Sequence, residues 1–456
     1  MSPIARTVAD VRTRFDFGDT RPAAWRRRQL EGLIRLVTEH EHEFAAALWK
    51  DLRKPHLEAW ATELAFVAGE ARHALEQLDR WMAPSKVSTP LIGQPGSSRL
   101  VPEPLGVVLV IGAWNYPLQG VLAPLVSVLA AGNAAIVKPS ELAPATAAVL
   151  AEHLPHLLDR DAVQVVTGGA DVTTELLAER FDHICYTGGG GVGRIVMTAA
   201  ARHLTPVTLE LGGKSPVIVL PDADLEATAR RVAWGKWINA GQTCLAPDYV
   251  LLGAQQVERF VPALERAVRA MYGADARQSP DYGRIVNERH AQRLAGYLAD
   301  GDVLFGGQVD AAQRYVAPTA LAVTDTERPV MREEVFGPIL PLVTVPSVAM
   351  AQRFVLQRDK PLALYLFGKD KAQTDRLASE IPAGQVCIND VLMFTTVNEF
   401  PFGGVGASGM GCYSGHRGFE NFSHIKPVMR RGLALDLDAR YPPYSAGKFA
   451  LLRRLR

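Results

Sequence analysis

Pro104-Leu-Gly-Val-Val-Leu-Val-Ile-Gly-Ala-Trp-Asn-Tyr-Pro117 opens a stretch of the 456-residue chain with no charged side chain before Lys138. About 20 apolar residues are enough to cross a bilayer. Here, though, Pro117, Pro124 and the Gly132-Asn133 pair cut the run into a strand at 107–111, a helix-length piece and a second short strand. A parallel strand buried on both faces and followed by a buried helix gives the same hydropathy without lipid. No integral membrane segment is expected. Working outward, short apolar strands at 107–111, 134–137, 163–166, 183–186 and 207–211 alternate with helix-length segments. That is the βαβ pattern of an open parallel sheet. A second alternation begins at Pro216-Val-Ile-Val-Leu220 and runs to about residue 395. The expected fold class is α/β with two open parallel-sheet domains. No repeat or long linker separates them, so they should pack closely around a cleft. Ahead of them, Leu30, Leu33, Ile34, Val37, Phe44 and Leu48 recur at helical spacing. The Pro-, Ser- and Gly-rich piece at 84–103 reads as an excursion from the first domain.

Composition excludes several functions. With 48% hydrophobic and 21% charged residues the chain is an ordinary globular one. Its formal net charge of +1 leaves no electrostatic footprint for nucleic acid. Cys185, Cys244, Cys387 and Cys412 form no C-x-x-C pair and are too sparse for a disulfide scaffold, which points to a reducing, cytoplasmic setting. The first residues lack the charged start and apolar core of a secretion signal. The run Glu39-His40-Glu41-His42-Glu43 reads as a solvated face rather than a metal site, because alternate residues on one helix point about 200° apart. No metal is expected. The basic end, Lys448 to Arg456, reads as a solvated tail.

Three segments could carry chemistry. Thr187-Gly188-Gly-Gly-Gly-Val-Gly193 follows one strand and precedes a helical stretch, where glycines let backbone N–H groups approach a phosphate. It fits a dinucleotide fingerprint, with Glu210 as the acid downstream, and it fits an ordinary glycine-rich turn as well. Lys138-Pro-Ser-Glu141 ends another strand of the same sheet and offers a cation and an acceptor to a ribose diol, or else a surface turn capped by Ser140. Cys244, in Asn239-Ala-Gly-Gln-Thr-Cys244-Leu-Ala-Pro, sits in a small, turn-like context that could activate a thiol; many lone cysteines are simply packed.

Together with Trp114-Asn115-Tyr116-Pro117, Leu209-Glu210-Leu-Gly-Gly-Lys-Ser-Pro216, Glu333-Glu334-Val-Phe336-Gly-Pro338 and Pro401-Phe-Gly-Gly-Val-Gly406, these blocks occur in a recognisable order and spacing. From about residue 20 to about 427 the chain resembles the NAD(P)-dependent aldehyde dehydrogenase superfamily. The form of the block at Cys244 and the ending from Ser408 to His424 are similar to the class 3 branch of fatty, aromatic and coniferyl-type aldehyde dehydrogenases.

The resemblance implies oxidation of an aldehyde to the acid through a cysteine thiohemiacetal and thioester. Cys244 is the implied nucleophile, Asn115 an oxyanion donor and Glu210 the base that activates water. Lys138 and Glu141 are implied at the adenine ribose, and Gly188 and Gly193 at the pyrophosphate. Glu334 is implied at the nicotinamide ribose, with Phe336 and Trp114 nearby. This frees Glu210 from the ribose role of the bare fingerprint. NAD is the expected cofactor, with NADP possible, because Glu141 repels a 2′-phosphate. The implied division is a Rossmann-like dinucleotide-binding domain at 1–83 and 104–212 and a catalytic domain at 213–416. Oligomerisation strands follow at 84–103 and 417–427, with a tail at 428–456 and a homodimer as the assembly. Tyr116, Trp237, Phe394 and Phe402 are expected to line an apolar tunnel for an apolar or aromatic aldehyde, or to be core. The sequence departs from relatives in reading Gly-Gly-Gly-Gly where hydroxyl side chains are common, which should affect dinucleotide binding. The alternatives are a cofactor-independent thiol hydrolase and a non-catalytic dinucleotide-binding protein.

Overall fold

The charge-free stretch folds as its punctuation predicts. In the computed structural model, which describes residues 1–434 and 436–454, Val107–Ile111 is a strand, Gln119–Ala130 a helix and Ala134–Lys138 the next strand. Both strands are buried along their whole length, and the apolar surface they remove from water drives this layer together. No described helix is long and apolar enough to cross a membrane.

The first sheet runs Gly409–Met410, Val207–Leu211, His183–Gly188, Val107–Ile111, Ala134–Lys138 and Val163–Val165. Its strands are parallel except for the antiparallel edge at Gly409–Met410. From Val107–Ile111 the chain builds outward to Val163–Val165, then crosses back to add His183–Gly188 and Val207–Leu211 on the other side. Such a reversal leaves a crevice at the carboxyl ends of the strands, where open α/β sheets bind ligands. The edge strand comes from the stretch that the sequence places in the second domain. Gly409 pairs with Glu210 and Met410 with Leu209.

The second sheet runs Asp302–Phe305, Thr319–Ala322, Ile339–Thr344, Tyr249–Leu252, Pro216–Val219, Ala363–Phe367 and Gln385–Ile388. It is parallel apart from its first pair. A third, antiparallel sheet joins Ser85–Val87, Gly96–Pro104 and Ser423–Arg431. Its last strand differs from expectation. Gly415–Asn421 is a helix, and pairing along Gly96–Pro104 carries the strand to Arg431 rather than ending it at 427. The tail beyond holds an exposed helix, Ala446–Arg454; residues 435, 455 and 456 lie outside the described residues.

The N-terminal helices Ala23–Glu39 and Glu41–Leu52 meet at His40, whose φ of −111° breaks the helical path. The 39–43 run is therefore not one helix. Glu41, His42 and Glu43 lie on the second helix, with His40 at its N-terminal boundary.

Candidate active site

The carboxyl edge of the first sheet meets the amino edge of the second. Residues 112–117, 138–141, 188–193 and 210–213 end or follow strands of the first sheet, while 244–248 and 334–338 precede adjacent strands of the second. This places residues far apart in sequence in one cleft.

Cys244 follows a tight turn. Asn239 (φ 52°), Ala240 (φ 52°) and Gly241 (φ 74°) are all left-handed, a costly run for the first two. A side chain at Gly241 would strike the Gly337 carbonyl, so this turn packs backbone to backbone against the 334–338 segment. Gln242, fully buried, fixes it: its amide donates to the carbonyls of Asn239 (3.0 Å) and Arg284 (2.9 Å), and its side-chain oxygen accepts from Val286 N–H (2.9 Å). The Cys244 sulfur is partly buried, and the backbone N–H groups of Cys244 and Leu245 point to it. Burial, with the charges of Glu334 and Glu210, pushes its thiol up to about 12.

Asn115 is buried beside that turn. Its side-chain amide donates to the Gln242 carbonyl at 3.0 Å, and its own carbonyl accepts from Asn239 (2.8 Å) and Lys54 (3.2 Å). Tyr116 and Thr243 share a hydroxyl hydrogen bond of 2.8 Å. Beneath lies a pair that the sequence reading did not single out. Lys54 and Glu63 are fully buried and ion-paired, with the Lys54 ammonium 4.0 Å from the centre of the Tyr116 ring. The other Glu63 oxygen accepts from the N–H groups of Leu118 (2.9 Å) and Gln119 (3.2 Å). Glu58, on the short helix His56–Ala59, accepts from Asn239 N–H at 2.9 Å, and burial pushes its carboxyl up to about 7. Glu63 lies within a π-helical turn, Trp60–Leu64, that directly follows the turn bearing Glu58. Such turns recur at functional sites, but nothing in the local sequence marks this one.

Glu210 is 3% exposed, and neither of its carboxylate oxygens has a hydrogen-bond partner. Burial holds its carboxyl well above the ordinary range. Two residues on, Gly212 lies against the Glu334 carboxylate, which would have to move to admit a side chain there. Glu334 also accepts from Gly213 N–H; burial and the nearby Asp248 push it up to about 8. Lys214 clamps this segment by pairing with Asp248 and donating to the carbonyls of Val330 and Glu333, both at 2.8 Å. Phe336, at φ 45°, meets the Trp114 ring edge-on, 5.3 Å between centres. Contacts thus join Glu210's neighbours to Glu334, Phe336 to Trp114, and Asn115 to the Cys244 turn.

Lys138 is buried at its strand end and donates to Glu141 at 2.8 Å. Gly188 has φ 159°, and a side chain there would hit the Tyr186 hydroxyl. Gly189 and Gly191 face open space at the uncapped start of the helix Gly190–Ala201, whose buried Gly193 packs near Leu211. Free helix N–H groups suit a diphosphate, and the Lys138–Glu141 pair suits a sugar diol. These residues fit a dinucleotide. The aromatic set divides: Trp237 is core, 1% exposed with its indole N–H on the Pro338 carbonyl at 2.9 Å. Phe394 and Phe402 line a small cavity with Phe66, Glu70 and Phe400. Cys185 is buried in its strand, whereas Cys387 and Cys412 are partly buried.

Comparison with known proteins agrees with this geometry. The family model described as Aldehyde dehydrogenase family matches residues 3–428. The chain is 49% identical to aldehyde dehydrogenase family 3 member A2 of Mus musculus, covering 97% of this chain and 92% of that one. It is 47% identical to the dimeric NADP-preferring aldehyde dehydrogenase of Canis lupus familiaris, covering 97% and 98%. A substrate-bound structure of Staphylococcus aureus AldH superposes with a TM-score of 0.96 at 40% identity, over 100% of this chain and 99% of that one.

Proposed function

The chain belongs to the aldehyde dehydrogenase family, and from that premise we propose that Cys244 is its nucleophile, Glu210 its general base and Asn115 an oxyanion donor. The activity is oxidation of an aldehyde to the carboxylic acid with NAD(P). One observation carries the assignment of roles. Glu210 is a buried carboxylate without a partner, and its charge bears on the Cys244 sulfur.

The Cys244 sulfur, once deprotonated, adds to the aldehyde carbon. The oxygen that becomes negative takes a hydrogen bond from the Asn115 amide and one from the Cys244 backbone N–H. NAD(P), when bound, supplies the hydride acceptor. Loss of hydride from the carbon leaves a thioester on Cys244. Glu210 then takes a proton from water, which attacks the thioester carbon and frees the acid and the sulfur. A water-activating base favours release of free acid over transfer to coenzyme A.

Lys138 and Glu141 would hold the adenine ribose, the loop from Gly188 to Gly193 the pyrophosphate, and Glu334 the nicotinamide ribose. Phe336 and Trp114 would lie beside the nicotinamide. Glu141 favours NAD, with NADP accepted. The first sheet with its N-terminal helices would be the dinucleotide-binding domain, the second sheet the catalytic domain, and the three-stranded sheet the dimer interface. An apolar or aromatic aldehyde is the substrate this reading favours, and Tyr116, whose hydroxyl bonds Thr243 next to Cys244, supports an aromatic lining. Four free cysteines support a cytoplasmic setting. The test is Cys244→Ala: loss of reduced-cofactor formation with unchanged circular dichroism is expected. Retained turnover would remove the mechanism.

A further inference from the structure

We propose that His40, Glu43 and His153 form a binding site for a divalent first-row transition ion, outside the catalytic cleft. The three come from two elements. His40 and Glu43 stand at the start of the helix Glu41–Leu52, and His153 lies on the helix Pro144–Leu157. One carboxylate already gathers both rings. His40 Nδ1 lies 2.9 Å from one Glu43 oxygen, and His153 Nε2 lies 2.9 Å from the other. The rings stack at 3.8 Å between centres, 17° from parallel. One ligand atom from each residue lies within 4.8 Å of the others. Among the described residues this is the only such group of three.

Two imidazoles and a carboxylate are a donor set for zinc, nickel or cobalt, with water completing the shell. The site is open enough for that water, since the Glu43 side chain is 52% exposed. Among the described residues Glu43 pairs with no lysine or arginine, its ion-pair partners being His40 and His153. Binding replaces two N–H···O contacts with two nitrogen–metal bonds, and each neutral ring then carries its proton on the other nitrogen.

The position gives the ion something to do. At the far end of the same helix, Asp51 caps Pro144–Leu157 by accepting from the N–H groups of Ala145 (3.1 Å) and Thr146 (2.8 Å). An ion at His40, Glu43 and His153 would fasten the opposite end of that pair. The second helix begins just after the Lys138–Glu141 pair, so the ion would steady the element behind it.

The experiment is a Co2+ titration of the metal-stripped full-length chain, followed by visible absorption. Saturable bands are expected at one ion per chain, without intense sulfur-to-metal absorption. They should persist in Cys244→Ala and His42→Gln. At least a tenfold loss of affinity is expected in His153→Gln, and separately in the exposed variant Glu43→Gln. Absence of bands up to millimolar Co2+, insensitivity to both His153→Gln and Glu43→Gln, or loss of the bands in Cys244→Ala would each overturn the site.

Discussion

A carboxylate without a partner in a protein interior is a cost that stability alone gives no reason to keep. Glu210 fits that description, and the cost is intelligible if the oxygens are reserved for a water molecule. Glu210→Gln should lower steady-state turnover by about 10²–10⁴-fold while leaving one burst of reduced cofactor, read by stopped-flow absorbance. Unchanged turnover would return Glu210 to a structural role. The pH dependence has a definite sign. Burial raises the folded-state value of this acid, so its contribution to stability is fully present below the ordinary carboxyl range and is lost as pH rises toward the folded value. The Glu210→Gln variant should therefore gain stability relative to the parent as pH rises, seen as a widening gap in thermal midpoint. Cys244 has the complementary behaviour. A thiol pushed up to about 12 is stored protonated in the cofactor-free chain. Its alkylation by iodoacetamide, followed by mass spectrometry of the peptide containing it, should rise about tenfold per pH unit between pH 7 and 9. Replacing Glu334 by Gln should speed it above about pH 8, where Glu334 carries its negative charge, and have little effect at pH 7. A flat profile would contradict the charge environment described here.

At the scale of elements, the cleft depends on turns whose supports lie elsewhere in the sequence. The loop bearing Asn115 is held from below by Lys54 and Glu63, and removing one partner of such a buried pair costs about 3–5 kcal/mol. Lys54→Met should therefore lower the thermal midpoint, and reduce kcat more than KM because it displaces the Asn115 amide rather than the cofactor loops. If kcat survived a confirmed loss of stability, Lys54 would be structural only. This support shows why part of the site was legible and part was not. Cys244, Glu210 and Asn115 stand in distinctive blocks, and the glycine run at 188–193 announces a close backbone approach. Lys54, Glu58 and Glu63 lie in an ordinary amphipathic stretch, where charge at helical spacing reads as solvated surface. Their burial follows from the packing of the 114–118 loop onto a π-helical turn, a long-range fact. The 39–43 run is a different case. Helical geometry separates His40 from His42, but the break at His40 and the arrival of His153 lie beyond a local rule.

At the scale of the whole molecule, the two sheets were legible as alternating strand and helix segments, and their confrontation was not. Nothing local shows that the first sheet offers its carboxyl edge and the second its amino edge. Among the described residues, the third sheet has only one strand paired on both sides, Gly96–Pro104. Both outer strands, Ser85–Val87 and Ser423–Arg431, are edges, and exposed edges invite pairing with another chain. Apolar side chains cluster around them: Val87, Leu91, Ile92 and Met429 are exposed, Leu91 by 65% and Met429 by 54%. Met429 packs near Gly93, so the excursion and the last strand present one surface. If that surface joins two copies, Leu91→Lys combined with Met429→Lys should weaken the dimer at least tenfold in sedimentation equilibrium. Each substitution places a charge in what would be a desolvated contact. Folding and turnover per chain should be retained, since neither residue reaches the cleft. A parent chain that sediments as a monomer at micromolar concentration, or a double variant that dimerises as tightly as the parent, would place the interface elsewhere or remove it.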